Sequence, residues 1–189
     1  DLQTIEKQTR NCKKIVEDLL NFARKSGTQM GAVNVNEALS AVIDVVRNQL
    51  ELDSIVIQTQ LDDDLPDIAG DSEKLKQVFM NLLINARQAI GTNGRISIAS
   101  GAAADGRTVM ITVTDDGPGI APDIQDKIFD PFFTTKPTGQ GTGLGLSVSY
   151  GIIEDHQGEI EVASEVGRGT TFHIRLPVDN RAASGNGSG

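Results

Sequence analysis

Residues 139–145 read Gly-Gln-Gly-Thr-Gly-Leu-Gly and run straight into an apolar, helix-compatible segment over 146–153. Glycines just before a helix let backbone N–H groups come close to a phosphate, and the helix N-terminus adds its positive dipole end. Glycine-rich turns are common, so this stretch alone does not fix a fold. It gains meaning from what precedes it: an Asn-bearing helix, an acidic Asp-Asp-Gly-Pro-Gly turn and a Phe-rich segment, in that order.

A chain of 189 residues fits one domain, or one domain with an appendage. No apolar run reaches transmembrane length, and no signal peptide stands at residue 1. The formal net charge of −9 argues against non-specific nucleic-acid binding, which needs basic surface. It also burdens a site for an anionic nucleotide, which then needs a divalent cation and local N–H donors. The single cysteine, Cys12, excludes an internal disulfide and a cysteine zinc cluster, and two histidines exclude a histidine-rich metal site.

Along the chain, residues 1–26 place Leu2, Ile5, Thr9, Cys12, Val16, Leu19 and Ala23 three and four apart, a coiled-coil seam. The chain opens abruptly inside this pattern, as a fragment of a longer protein would. A second helix is expected over 34–52 with Asn36 as its N-cap, then a strand over 55–61 and an acidic turn at Asp62, Asp63 and Asp64. Asp71 caps a third helix over 72–90, on which Asn81, Asn85 and Gln88 form a polar stripe. Strands over 95–100 and 108–114 form a hairpin, and the second ends in Asp115-Asp116-Gly117-Pro118-Gly119. A carboxylate at a strand end can accept from a ligand amine while the glycines allow close approach.

Half of the six phenylalanines fall in 128–136, inside a Pro-, Gly- and Thr-rich segment over 121–143, which reads as a lid with an apolar latch. A helix then runs to residue 157 and stops at Gly158, read as its C′ glycine; strands over 159–165 and 170–178 follow. The tail over 179–189 is polar and Gly/Ser-rich and reads as disordered.

Taken together, these segments resemble the catalytic ATP-binding domain of two-component sensor histidine kinases, in the GHKL superfamily shared with gyrase and MutL. The N box is Asn81-Leu-Leu-Ile-Asn85-Ala86, the G1 box Asp115-Asp-Gly117-Pro-Gly119, the F box 129–133, and the G2 box Gly141-Thr-Gly143-Leu-Gly145-Leu. Gly167-Arg-Gly169-Thr170 matches a last glycine block, and the Pro-Phe-Phe-Thr-Thr-Lys form of the F box resembles the nitrogen-sensor and PAS-linked branch. The resemblance implies an α/β two-layer sandwich of Bergerat type, a mixed sheet covered on one face by three helices. It divides the chain into 1–28, the second helix of a dimerisation domain and a linker; 29–178, the catalytic domain; and 179–189, the tail.

The resemblance also implies roles. ATP would contact Asn81, Asn85, Asp115, Gly117, Gly119, Phe133, Thr135, Lys136, Gly141, Thr142, Gly143, Leu144, Gly145, Leu146 and Thr170. Asp115 would accept from the adenine amine, Asn85 would hold Mg2+, Asn81 would lie by the phosphates, and Lys136 would bring them a positive charge. ATPase members of the superfamily carry a glutamate where Asn81 stands, and an amide is no general base near neutral pH. The implied reaction is therefore transfer of the γ-phosphoryl to a histidine, with a dimerisation helix and a response-regulator receiver domain as partners, in the cytoplasm. His156 and His173 fit the acceptor role poorly, so the acceptor is expected outside this chain. Two other readings stay open: a nucleotide-binding switch without phosphotransfer, and a serine-directed GHKL kinase.

Overall fold

The computed structural model describes residues 30–137 and 141–178. The seam over 1–26 and the tail over 179–189 lie outside the described residues. Strand β1 (Gly31–Val33) leads into helix α1 (Val35–Leu52), and strands β2 (Ile55–Leu61) and β3 (Ile68–Gly70) follow. Helix α2 (Ser72–Ile90), the hairpin β4 (Gly94–Ala102) and β5 (Thr108–Asp115), and the short helix α3 (Pro122–Gln125) come next. Helix α4 (Gly145–Asp155) and the hairpin β6 (Glu159–Glu165) and β7 (Gly169–Pro177) complete the order.

The main sheet is five-stranded, in the order β2-β4-β5-β7-β6. Only β2 and β4 are parallel, joined by a crossover through β3 and α2; the other pairs are antiparallel. A mixed sheet covered on one face follows from strand alternation. Ile96, Ile98, Val109, Ile111, Val113, Phe172, Ile174 and Leu176 point inward and are buried, while Ser97, Thr112, Thr114, Thr171, His173 and Arg175 stand on the other face. Three helices cover the inner face with stripes at three- and four-residue spacing, among them Leu39, Val42, Ile43 and Val46 on α1 and Leu75, Val78, Phe79, Leu82 and Leu83 on α2. A two-stranded sheet, β1 with β3, sits beside this sandwich and was not expected. Among the described residues no helix is long and apolar enough to cross a membrane.

Helix α2 begins where the sequence places it. Asp71 accepts from the N–H groups of Glu73 (3.0 Å) and Lys74 (3.2 Å). Two other boundaries differ from expectation. The N-cap of α1 is Asn34, whose Oδ1 accepts from Glu37 N–H at 3.0 Å. Asn36, one position inside the helix, instead donates to Asp62 O (2.7 Å) and accepts from Ser100 Oγ (2.7 Å), tying α1 to the ends of β2 and β4. At the end of α4 the left-handed residue is Gln157 (φ 57°), not Gly158. Gln157 N–H donates to Glu154 O and Gly158 N–H to Ile153 O, a Schellman pair in which Gly158 is the C″ residue. Glycine is needed at 158 for a different reason: a Cβ there would lie 2.4 Å from Arg175 O.

His156 has a structural role. It is 3% exposed; its Nε2 accepts from Asp71 N–H (2.9 Å) and its Nδ1–H donates to Ile152 O (2.7 Å), so it joins the end of α4 to the start of α2. Removing the α1 cap with Asn34→Ala should lower stability by about 1 kcal/mol. Urea denaturation would read this as a lower midpoint at unchanged slope, and an unchanged midpoint would return the cap to Asn36.

Candidate functional site

A cavity of about 500 Å³ opens between α2, the end of β5, α3, the segments over 126–137 and 141–144, and the start of α4. Its deep end is built by the pairing of β5 with β7, which sets Asp115 opposite Thr170 in register. Both are buried, at 5% and 6% exposed. Asp115 Oδ1 accepts from Gly117 N–H at 2.9 Å. Burial pushes this carboxyl above its ordinary value, against the pull of hydrogen bonds from the Gly117 and Thr170 backbone. The seat is tight: a Cβ on Gly169 would lie 1.9 Å from Asp115 O, and one on Gly117 would lie 2.7 Å from Asp115 Oδ1.

The turn after Asp115 is fastened to the β6–β7 hairpin. Ile120 N–H donates to Ser164 Oγ (2.8 Å), Gly167 N–H to Pro118 O (2.8 Å), and the Gln125 amide to both Ile120 O and Ser164 O. Ser164 Oγ also contacts Thr170 Oγ1 at 3.0 Å. Ser164 and Gln125 are thus central to the geometry, and sequence reasoning missed both. Their only signal is a polar side chain, one in a strand and one in a helical turn, with nothing local to mark a partner forty residues away.

At the other end of the cavity α2 faces α4. The stripe of Asn81, Asn85 and Gln88 lines the wall, and so do Gln77, Ile84, Ala86 and Ala89. Asn81 Nδ2 donates to Gly145 O (3.1 Å) and to Ser149 Oγ (3.2 Å). Lys136 crosses from the opposite wall: its Nζ donates to Asn85 Oδ1 at 3.3 Å and to Gln88 Oε1. The first turn of α4 supplies backbone N–H groups without intrahelical partners, at residues that themselves line the cavity.

Within the Phe-rich segment the three rings do different things. Phe129 packs on Tyr150 (centroids 5.5 Å) and edge-on against Phe172 (6.4 Å), and Phe133 lines the cavity. Phe132 turns outward, 62% exposed, with φ 68°. Its N–H donates to Gly143 O at 2.9 Å, and a Cβ on Gly143 would lie 2.4 Å from the Phe132 carbonyl carbon. The expected apolar latch therefore involves Phe129 and Phe133, and Phe132 is not part of it.

Of the residues singled out from sequence, Asn81, Asn85, Asp115, Gly119, Phe133, Thr135, Lys136, Thr170 and every residue over 141–146 line this one cavity. Gly117 does not, and contributes through its bond to Asp115. Asp115 is the one carboxylate among the lining residues, and no histidine lines the cavity. The described residues contain no group of three His, Cys, Asp or Glu able to hold a metal. A cation here would rest on amide and ligand oxygens, and Asn85 Oδ1 already receives the Lys136 ammonium, so a positive charge fits that position.

A family model described as histidine kinase-, DNA gyrase B- and HSP90-like ATPase matches residues 70–180. Sensor histidine kinase ZraS of Escherichia coli K12 is 40% identical over 177 residues, 94% of this chain and 37% of that protein. The chain thus spans under two fifths of this curated relative. Among solved structures, the nucleotide-free catalytic domain of histidine kinase ThkA superposes with TM-score 0.71 at 35% identity, covering 79% of this chain and 95% of that one. ThkA in complex with response regulator protein TrrA gives TM-score 0.77 at 30% identity, over 92% of this chain and 49% of that one.

The raised Asp115 value has a consequence for stability. The folded chain holds this proton more tightly than the unfolded chain, so ionisation costs the fold. The cost is absent well below the ordinary value of 3.8 and complete above the raised one. Asp115→Asn should therefore stabilise the nucleotide-free protein at pH 7.5, and the gain should shrink as pH falls toward 4. A urea-midpoint series against pH reads this, and a loss of stability at pH 7.5 would contradict it.

Proposed function

The chain belongs to the family of histidine kinase-, DNA gyrase B- and HSP90-like ATPases, and its fold is that of sensor histidine kinase catalytic domains. From that membership we propose that it binds Mg2+-ATP in the cavity and passes the γ-phosphoryl to a histidine on a dimerisation helix. The observation that carries the choice of phosphotransfer over hydrolysis is the lack of a base among the lining residues. The one carboxylate, Asp115, sits at the deep end, and the group facing the α4 N-terminus is the neutral amide of Asn81. An amide cannot take a proton from water near neutral pH.

Each residue has a task in this reading. Asp115 accepts from the adenine amino group with Thr170 beside it, and Ala86, Ala89 and Ile120 supply apolar surface for the ring. Gly117 keeps the Asp115 carboxylate aimed, and Gly119 keeps the turn against the Glu165 backbone, where a Cβ would lie 2.2 Å from its carbonyl oxygen. The N–H groups at the start of α4, with Gly141, Thr142, Gly143, Leu144, Gly145 and Leu146 around them, cradle the phosphates. Phe133 and Thr135 close that side of the cavity. Asn85 Oδ1 would hold Mg2+ in place of the Lys136 ammonium it now accepts from, and Lys136 would supply its charge to the phosphates. Bound Mg2+ would neutralise phosphate charge as the γ-phosphoryl departs. Transfer is then positioning and charge stabilisation, and the incoming imidazole is the nucleophile.

The same reading extends beyond the cavity. Residues 29–178 are assigned to the catalytic domain; 1–28, read from sequence as the second dimerisation helix and linker, lie outside the described residues. Outward-facing Phe132, hydrogen-bonded to Gly143, gives the phosphoacceptor helix an apolar landing point next to the phosphate end. The ThkA–TrrA complex supports a response-regulator receiver domain as the next acceptor. A reaction that consumes ATP places this part of the protein in the cytoplasm.

The deciding experiment incubates the chain with γ-labelled Mg2+-ATP, alone and with a separate dimerisation fragment carrying the acceptor histidine. Label on the fragment with little free phosphate is the expected result; free phosphate from the chain alone would revive hydrolysis. Binding adds a second check. Asp115→Asn should weaken ATP roughly 10- to 100-fold, the scale of a hydrogen bond to a charged group, and leave weak GTP binding little changed. Equal losses for both nucleotides would remove the adenine contact.

A further inference from the structure

Ser149 is a polar side chain with no exposed surface, on α4 where it packs against α2. Nothing about packing asks for a hydroxyl there; an alanine or valine would fill an α2–α4 contact as well. Its hydrogen bonds say what the hydroxyl does. Ser149 Oγ donates to Gly145 O, one turn back, at 2.9 Å. With its single proton committed, the oxygen is left with lone pairs, and Asn81 Nδ2 donates to one of them at 3.2 Å.

Asn81 Nδ2 also donates to Gly145 O at 3.1 Å. A carbonyl oxygen can only accept, so the atom facing it must be the amide nitrogen and Asn81 cannot be turned the other way. The amide nitrogen is therefore held against α4 by two acceptors, and Oδ1 is turned away from them. Asn81 Oδ1 makes no hydrogen bond among the described residues, and Asn81 lines the cavity.

We propose that Ser149 is a positioning residue: by accepting from the Asn81 amide beside Gly145 O, it holds the nitrogen side against α4 and turns the oxygen of Asn81 to the cavity. This rests on the function proposed above and sharpens one part of it. An amide turned nitrogen-first to the cavity would donate to a phosphate oxygen. An amide that turns its oxygen there takes a cation or the water around one. Asn81 is thereby assigned to the cation side of the Mg2+-nucleotide together with Asn85, one turn along α2, and the phosphates are left to Lys136 and the α4 N-terminus.

Two measurements test this, and the first needs no nucleotide. In the nucleotide-free protein the Asn81 side-chain amide should show slowed proton exchange by NMR. In Ser149→Ala its signals should shift and lose protection, while Ser149→Thr should keep both. Unchanged Asn81 signals in Ser149→Ala would overturn the contact. The second measures affinity for a non-hydrolysable ATP analogue with Mg2+ and with chelator. Ser149→Ala should cut the gain in affinity due to Mg2+ roughly tenfold, the scale on which residues behind a metal ligand act, and leave chelator-phase binding within about twofold. In an Asn81→Ala background the same substitution should change affinity by less than about twofold, because two residues acting as one unit are not additive. Equal losses in both backgrounds would overturn the proposal. A wild-type chain that gains nothing from Mg2+ would instead defeat the proposed function, and the amide-proton result would still decide what Ser149 does.

Discussion

A carboxylate taken out of water has to be held by something, and much of this fold's local sequence follows from how Asp115 is held. The β5–β7 pairing carries it to a position 5% exposed, opposite Thr170. The fold then has no room for a side chain on three surrounding residues. Gly169 stands against the Asp115 carbonyl, Gly117 against its carboxylate, and Gly119 against the Glu165 backbone. These glycines are usually counted as loop residues. Here each is fixed by the close approach of another backbone or of the carboxylate itself. Ionisation of this carboxyl costs stability, because burial opposes the charge, and a group with something to donate offsets that cost.

The far end of the cavity solves the opposite problem with neutral groups. A chain of net charge −9 does not look hospitable to a polyphosphate. Yet exposed charges more than about 10 Å away are largely screened at ordinary salt. What counts is local: the amides of Asn81, Asn85 and Gln88, one ammonium from Lys136, and the start of a helix. None of these adds negative charge, and the last two are positive. The acidic residues of the chain are displayed elsewhere, as in the Asp62-Asp63-Asp64 turn and on the outer sheet face, where Glu159 and Glu161 pair with Arg175.

The sequence made some of this legible and hid the rest for identifiable reasons. Elements with strong periodicity and an unambiguous cap came out at their observed bounds. Helix α2 is the clearest case, with Asp71 before an apolar stripe and Gly91 after it; strand β2 is another. The N-cap of α1 was misplaced because Asn34 and Asn36 are equally good caps by type. What separates them is that Asn36 has partners on Asp62 and Ser100, and local sequence carries no such information. Gly158 was misread for a similar reason. A glycine after a helix suggests a left-handed C′, but this one answers to the neighbouring strand at Arg175, and Gln157 takes the left-handed turn. The lining of the cavity was readable as motifs. Ser164, Gln125 and Ser149 were not, since each acts through a partner more than thirty residues away.

That last group also explains how one fold can hold nucleotide and still differ in what it does with it. The residue at position 81 faces the start of α4 whatever its type, because the α2–α4 packing puts it there. A carboxylate at that position would meet Gly145 O and Ser149 Oγ, and it can donate to neither when ionised. The carbonyl would repel it, and the serine would have to release its own bond to Gly145 O to satisfy it. The amide fits because its nitrogen donates to both acceptors. Asn81 and Ser149 are therefore a matched pair, and changing position 81 to a base would require the α4 side of the contact to change as well. The chemistry open to this cavity is set as much by what α4 will accept from α2 as by any residue that touches the ligand.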